Sequence, residues 1–173
     1  MSVIANTTVI SNFASIDHID LLRQLYRVLY ISTEVYGEIQ VGIEEGYRFY
    51  SGIEQLIYPF VESGWIRLTS MADEQELRFF GELPSRLHLG EASCLAIAQQ
   101  RGWILLTDDK AAREEAARRR VPISGSVGCL VLAVERGLCT LEQANFWLSE
   151  MVRLGYRSPV TDLASLLKPW PKR

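Results

Sequence analysis

Asn6, Glu38, Glu91, Asp108 and Asp109 are the residues whose types and positions could do chemistry. Asn6 opens the polar turn Asn6-Thr7-Thr8 directly after the apolar run Val3-Ile4-Ala5. Asp108 and Asp109 follow Thr107, where Trp103-Ile104-Leu105-Leu106 stops abruptly. Glu91 follows Gly90 at a helix start, and Glu38 lies on the helix after a second extended run, Val28-Leu29-Tyr30-Ile31. In open parallel sheets, sites form at the carboxyl ends of strands, so these carboxylates could converge on one cleft. Converging carboxylates repel one another, and burial raises their pKa values. A cation resolves the conflict, and oxygen-only donors suit Mg²⁺ or Mn²⁺. Such an ion can polarise a phosphodiester and generate hydroxide near neutral pH. That is the chemistry of metal-dependent nucleases.

Each residue has an ordinary alternative. Asp108 and Asp109 could cap the following helix, where carboxylates are favoured. Glu91 could be a first-turn glutamate with no further role, and Glu38 part of a solvated helix face. Asn6-Thr7-Thr8 could be a plain strand-to-helix turn. His18 and His88 show no ligand spacing and read as surface histidines. Arg118-Arg119-Arg120 reads as a solvated helix end favoured by the dipole, with contact to phosphate as the alternative.

The elements that must position these residues alternate. Strands are expected at Val3–Ala5, Val28–Ile31, Trp65–Leu68, Trp103–Leu106 and Val121–Ile123. Between them, apolar residues at helical spacing predict helices near residues 10–14, 17–25 and 33–39, over 72–82, 90–101 and 110–120, and over 127–136 and 140–154. The stretch 42–63 reads as an amphipathic helix with Phe49, Ile53, Leu56 and Phe60 on one face. Strand–helix alternation predicts an α/β fold with helices on both faces of a parallel sheet. The 173 residues make one domain, with a core over about 3–137 and a helical C-terminal extension over about 140–167. The tail from Lys168 to Arg173 is expected to be loosely ordered.

Composition excludes other classes. Hydrophobic residues are 48% and charged residues 23%, ordinary for a globular chain, and the net charge of −3 disfavours nucleic-acid binding by bulk charge. The odd set Cys94, Cys129 and Cys139 offers no disulfide or zinc spacing and suggests a reducing compartment, with Cys94 and Cys129, among aliphatic neighbours, reading as small buried hydrophobes. The N-terminus lacks the basic start of a secretory signal. The longest strongly apolar run, Val127 to Val134, is far short of the ~20 residues needed to span a bilayer. A cytoplasmic protein without membrane contact is the expectation.

The order of the motifs is more specific than any one of them. Val3-Ile4-Ala5-Asn6-Thr7-Thr8-Val9-Ile10-Ser11, Leu89-Gly90-Glu91-Ala92-Ser93-Cys94-Leu95-Ala96-Ile97-Ala98 and Ile104-Leu105-Leu106-Thr107-Asp108-Asp109-Lys110-Ala111-Ala112-Arg113 occur in that sequence, followed by Ile123-Ser124-Gly125-Ser126-Val127-Gly128 and Arg136-Gly137. Together they resemble the PIN-domain family, and within it the VapC-like toxin ribonucleases. The resemblance implies a three-layer α/β/α fold around a parallel sheet of about five strands, usually in a homodimer, and metal-dependent cleavage of RNA. It makes Glu38, Glu91 and Asp109 the ligands of Mg²⁺ or Mn²⁺, with Asn6 and Asp108 assisting in catalysis. Thr7, Thr107 and Arg113 are the candidates to contact substrate, and Thr7 or Thr107 could instead orient a carboxylate. A toxin would also have an antitoxin protein as partner. One departure matters: most members begin with aspartate where this chain has Asn6, and a neutral carbonyl binds a hard cation more weakly. The rival expectation is therefore a catalytically weakened PIN-fold module that binds RNA or protein. A phospho-acceptor domain using Asp108 or Asp109 is disfavoured, because such domains carry their acidic pair after the first strand.

Overall fold

The computed structural model describes residues 1–168. Strand β1 (Val3–Ala5) ends at Asn6, whose side chain accepts the Thr8 N–H at 2.8 Å and so starts helix α1 (Thr7–Ser15) at once. This cap draws the helix start forward from the expected residue 10. Helix α2 (Asp20–Tyr26) leads to β2 (Leu29–Ser32), and the Ser32 hydroxyl, accepting from the Val35 N–H at 3.1 Å, starts α3 (Thr33–Glu44).

The expected helix over 42–63 does not form. Helix α3 stops at Glu44, and the chain continues through two 3₁₀ turns, Arg48–Tyr50 and Ile53–Leu56, into a two-residue strand β3 (Ile57–Tyr58). Gly46 at φ +93° and Gly52 at φ +79° impose left-handed backbone there, which no helix accommodates. The expected apolar face splits accordingly: Ile53 is buried, whereas Phe49 and Phe60 are exposed.

The remaining elements are β4 (Ile66–Thr69), α4 (Glu74–Glu82), α5 (Leu89–Arg101), β5 (Ile104–Leu106), α6 (Lys110–Arg118), β6 (Ile123–Ser124), α7 (Ser126–Glu135) and α8 (Leu141–Arg153). The C-terminal extension is thus helical to Arg153, then irregular up to a 3₁₀ turn at Leu163–Leu166. Of the tail expected to be loosely ordered, all but Lys168 lies outside the described residues.

The six strands pair in parallel in the order β3-β4-β2-β1-β5-β6, with helices on both sides. This is the expected α/β/α architecture, with β3 as an additional strand. The chain first moves outward from β1 through β2, then crosses back to place β5 on the other side of β1. A crevice must open outside the carboxyl ends of β1 and β5, where the connections diverge. Helix α5 packs on β1, β2 and β5 and is enclosed by α3, α4 and α6. Residues 90–98 are therefore buried all round, as the small and apolar sequence of that helix demands. Cys94 and Cys129 are buried free thiols, as read from their neighbours, while Cys139 is partly exposed.

Candidate nuclease cleft at the switch point

The crevice contains most of the expected chemistry. Asn6, Thr7 and Thr8 from the end of β1, Glu38 from α3, His88 and Glu91 from the start of α5, and Asp109 after β5 line one cleft of about 440 Å³. Local hydrogen bonds hold each side chain. Glu38 accepts the Gly90 N–H at 3.1 Å on one carboxylate oxygen and the Thr7 hydroxyl on the other. Glu91 turns back to accept the His88 N–H at 3.0 Å. Asp109 caps α6 by accepting the Ala112 N–H at 2.8 Å. The helix-capping alternative for Asp109 and the shared-cleft reading therefore hold together: one oxygen serves the helix and the other takes no hydrogen bond among the described residues.

The glycine before Glu91 has a geometric cause. A Cβ at position 90 would lie 2.6 Å from both Glu38 carboxylate oxygens. Only glycine lets α3 and α5 approach closely enough for the Glu38 carboxylate to rest on the first turn of α5.

The electrostatics follow from the crowding. Burial pushes the Glu91 carboxyl above its usual range; the nearby charges of Asp109 and Glu38 push the same way, and the hydrogen bond from His88 opposes them.

Asn6 is almost fully buried, and both ends of its amide are engaged. Its Nδ2 donates to Thr107 Oγ1 at 2.8 Å, and its Oδ1 accepts from both Thr8 N–H at 2.8 Å and Thr8 Oγ1 at 2.6 Å. It borders the cleft as the cap of α1. Thr107 is fully buried, so it cannot touch substrate. Its hydroxyl accepts the Asp109 N–H at 3.2 Å and the Asn6 amide, which leaves it the positioning role. Thr7 likewise orients Glu38.

The structure separates Asp108 from the cleft. Its Oδ1 accepts the Ser126 N–H at 2.8 Å and the Tyr156 hydroxyl at 3.3 Å. Its Oδ2 accepts Asn12 Nδ2 at 2.9 Å and the Ser126 hydroxyl. With every lone pair engaged on the far side of the β5 end, Asp108 has none left for an ion. Successive residues leaving a strand point to opposite faces, which is why the neighbours Asp108 and Asp109 part. Arg113 lies on Asp108's side and donates to the Thr107 carbonyl at 2.9 Å.

His88 is exposed, as its sequence suggests, yet it borders the cleft, and Asn12, Ser126 and Tyr156 join the site's surroundings without having been candidates. His88 stands two residues before Gly90 at the helix start, a position signal that was available. Ser126 sits in the closing segment, while nothing local marks Asn12 or Tyr156.

The acidic donors in the cleft are the carboxylates of Glu38, Glu91 and Asp109, the chemistry that hard divalent cations prefer, and the His88 imidazole and the Thr7 and Thr8 hydroxyls stand beside them. Among the described residues, however, no three Asp, Glu, His or Cys side chains are gathered closely enough to hold one ion. The donor types fit such an ion, and the side chains stand committed to backbone N–H groups.

Fold and cleft together define a class, the parallel α/β domains with an acidic crevice at the switch point. The chain belongs to the PIN-domain family, whose family model matches residues 2–171. Membership points to nuclease-type function on RNA, and PIN domains generally use divalent metal ions. No curated protein matches the chain. Among the described residues, no helix is long and apolar enough to cross a membrane.

Proposed function

We propose that the protein is a metal-dependent endoribonuclease, with Glu38, Glu91 and Asp109 holding Mg²⁺ or Mn²⁺. The observation that carries this reading is the meeting of these three carboxylates in one cleft, with Glu91 driven toward its neutral form by burial and by the other two. A bound divalent ion would supply phosphodiester polarisation and an activated water. The chain's own part is positional: Thr7 and the Gly90 N–H aim Glu38, the His88 N–H aims Glu91, and Thr107 with the Ala112 N–H fixes Asp109.

The test is cleavage of labelled single-stranded RNA by the purified protein with Mn²⁺ and with chelator. The Asp109→Asn variant retains a capping oxygen and so should fold. Loss of cleavage by a factor of at least about 100 in that variant supports the reading. Metal-independent cleavage, or full activity in the variant, overturns it.

A second reading, a weakened module that binds RNA or protein without cutting, is favoured by Asn6, whose neutral oxygen already accepts twice from Thr8 within the turn. Failure to bind Mn²⁺ in calorimetry would select it. The toxin role in a VapC-like toxin–antitoxin pair, an antitoxin partner and a cytoplasmic location rest on the family resemblance. Homodimer formation is supported by the exposed rings of Tyr47 and Phe49, whereas their neighbour Tyr50 is buried in the core. A monomeric mass in light scattering at micromolar concentration would reject the dimer.

A further inference from the structure

Beyond the carboxylate cleft runs a second concavity, built by the C-terminal return of the chain. After α8, residues 154–157 fold back across the carboxyl ends of β5 and β6. One part, about 670 Å³, is bordered by Thr8, Asn12, Lys110 and Tyr156 and shares Thr8 and Asp109 with the carboxylate cleft. The next part, about 480 Å³, is bordered by Arg113, Gly125, Tyr156 and Arg157. Each space shares lining residues with the next, so the three lie side by side along the carboxyl edge of the sheet.

Along this wall the exposed cations Lys110 and Arg157 outnumber the one exposed carboxylate, Glu114. Arg157 and Lys110 are exposed, and Arg113 and Arg157 enter no ion pair among the described residues. Lys110 has only a long contact, 3.9 Å, with the half-exposed Glu114, which binds it weakly. The Arg113 guanidinium is held on the Thr107 carbonyl, and a Cβ at Gly125 would strike it at 2.9 Å, so a glycine makes room for it. Tyr156 places a half-buried ring between these cations. Asp108 is the clasp. Its four hydrogen bonds tie Asn12 of α1, Ser126 of α7 and the Tyr156 hydroxyl to the end of β5. Burial and the adjacent Asp108 charge raise the Tyr156 pKa, so the phenol stays a donor in that clasp.

We infer that this groove is the track along which a single-stranded RNA backbone reaches the carboxylate cleft, with Lys110, Arg113 and Arg157 contacting phosphates and Tyr156 offering a stacking face. Cations along a groove with an aromatic ring between them are the pairing that single strands require, since every base presents a π-face. Asp108 then acts as a positioning residue for the track. The inference rests on the nuclease reading for its polarity toward the cleft, while strand binding stands separately.

The test is fluorescence anisotropy with a labelled oligouridylate of about ten nucleotides, within the range of single-strand site sizes, in chelator and over a range of salt. Arg157→Gln and Lys110→Gln change exposed side chains and leave the fold intact. Each should weaken binding about tenfold at low salt and shallow the log–log salt slope by about 0.7, the single-strand value for one lost phosphate contact. In Mn²⁺, if the protein cleaves, KM should rise and kcat should hold. Wild-type slopes in both variants, or equal affinity for duplex RNA or polyglutamate, would overturn the track. RNA bound with the expected slopes but never cut removes the nuclease reading and leaves the track standing. Cleavage with an unchanged KM in both variants does the reverse.

Discussion

Asn6 is where the residue scale is most exposed to test. Its Nδ2 faces the Thr107 hydroxyl, which can reverse and donate to a carboxylate while still accepting the Asp109 N–H. Asn6→Asp should therefore keep the turn intact and add a buried negative charge beside Glu91, Asp109 and Glu38. Without metal the charge adds repulsion, and the variant should melt below wild type by several degrees, about 2–4 °C for each kcal/mol lost in a chain of this size. Millimolar Mn²⁺ should recover the loss and exceed the wild-type shift, because a ligand that binds only the folded state stabilises it by mass action. Thermal unfolding with chelator and with Mn²⁺ measures both. An unchanged metal shift would make Asn6 a turn residue alone.

At the scale of elements, two contacts hold the helices that carry the site. The first is the seat of Glu38 on the opening turn of α5. Gly90→Ala would place a methyl group where the Glu38 carboxylate lies, and that flexible side chain must swing off its seat on α5. We expect urea unfolding to shift by less than about 1 kcal/mol while the Mn²⁺ response weakens, because Glu38 must leave its place; an unchanged Mn²⁺ response would show that this seat does not matter to the cleft. The second contact ties α4 and α5 to the end of β4. Arg101 donates to the buried Glu76 through Nε at 2.6 Å and Nη2 at 3.1 Å, and its Nη1 reaches Thr69 Oγ1 at 2.9 Å. The Arg101 hydrogen bonds hold the Glu76 carboxyl below its usual range against the cost of burial. A folded-state pKa below the unfolded value of about 4.3 means that the pair stabilises fully above that pH and less as pH falls through the folded value. Glu76→Gln should cost about 3 kcal/mol at neutral pH. Denaturant titrations at successively lower pH should show the gap between variant and wild type closing below about pH 4. A gap that stays constant in acid would show that the pair contributes no charge-dependent stability.

At the scale of the whole molecule, Asp108 joins parts of the chain remote in sequence. Its partners Asn12, Ser126 and Tyr156 come from α1, α7 and the return after α8. Removing a buried acceptor strands its donors, and each stranded group carries a desolvation cost. Asp108→Ala should therefore lose about 2–4 kcal/mol, more than a surface substitution costs. Hydrogen exchange should rise first at Ser126 and over residues 154–157, where the clasp holds the C-terminal return. Uniform protection across the variant would contradict a clasp and leave Asp108 a local cap.

The α/β alternation and the convergence of Glu38, Glu91 and Asp109 were legible in the sequence, because strand ends and helix starts are local signals and parallel topology carries strand ends to one edge. The stretch 42–63 was misread for a local reason as well: apolar spacing suggested a helix, while Gly46 and Gly52 carried the opposite instruction. Other decisions were made only by tertiary structure. Asp108 and Asp109 look equivalent in sequence, and they separate because the chain leaving β5 turns one toward α5 and the other toward α7 and the C-terminal return. Thr107 looks like a substrate contact until the packing of β1 against β5 buries it under Asn6. Tyr156 and Arg157 carry no motif. A long-range hydrogen bond from Tyr156 to Asp108, across 48 residues, brings them to the end of β5, where no local pattern would place them. Local propensity determines which elements form; the pairing of distant side chains decides which residues face the site.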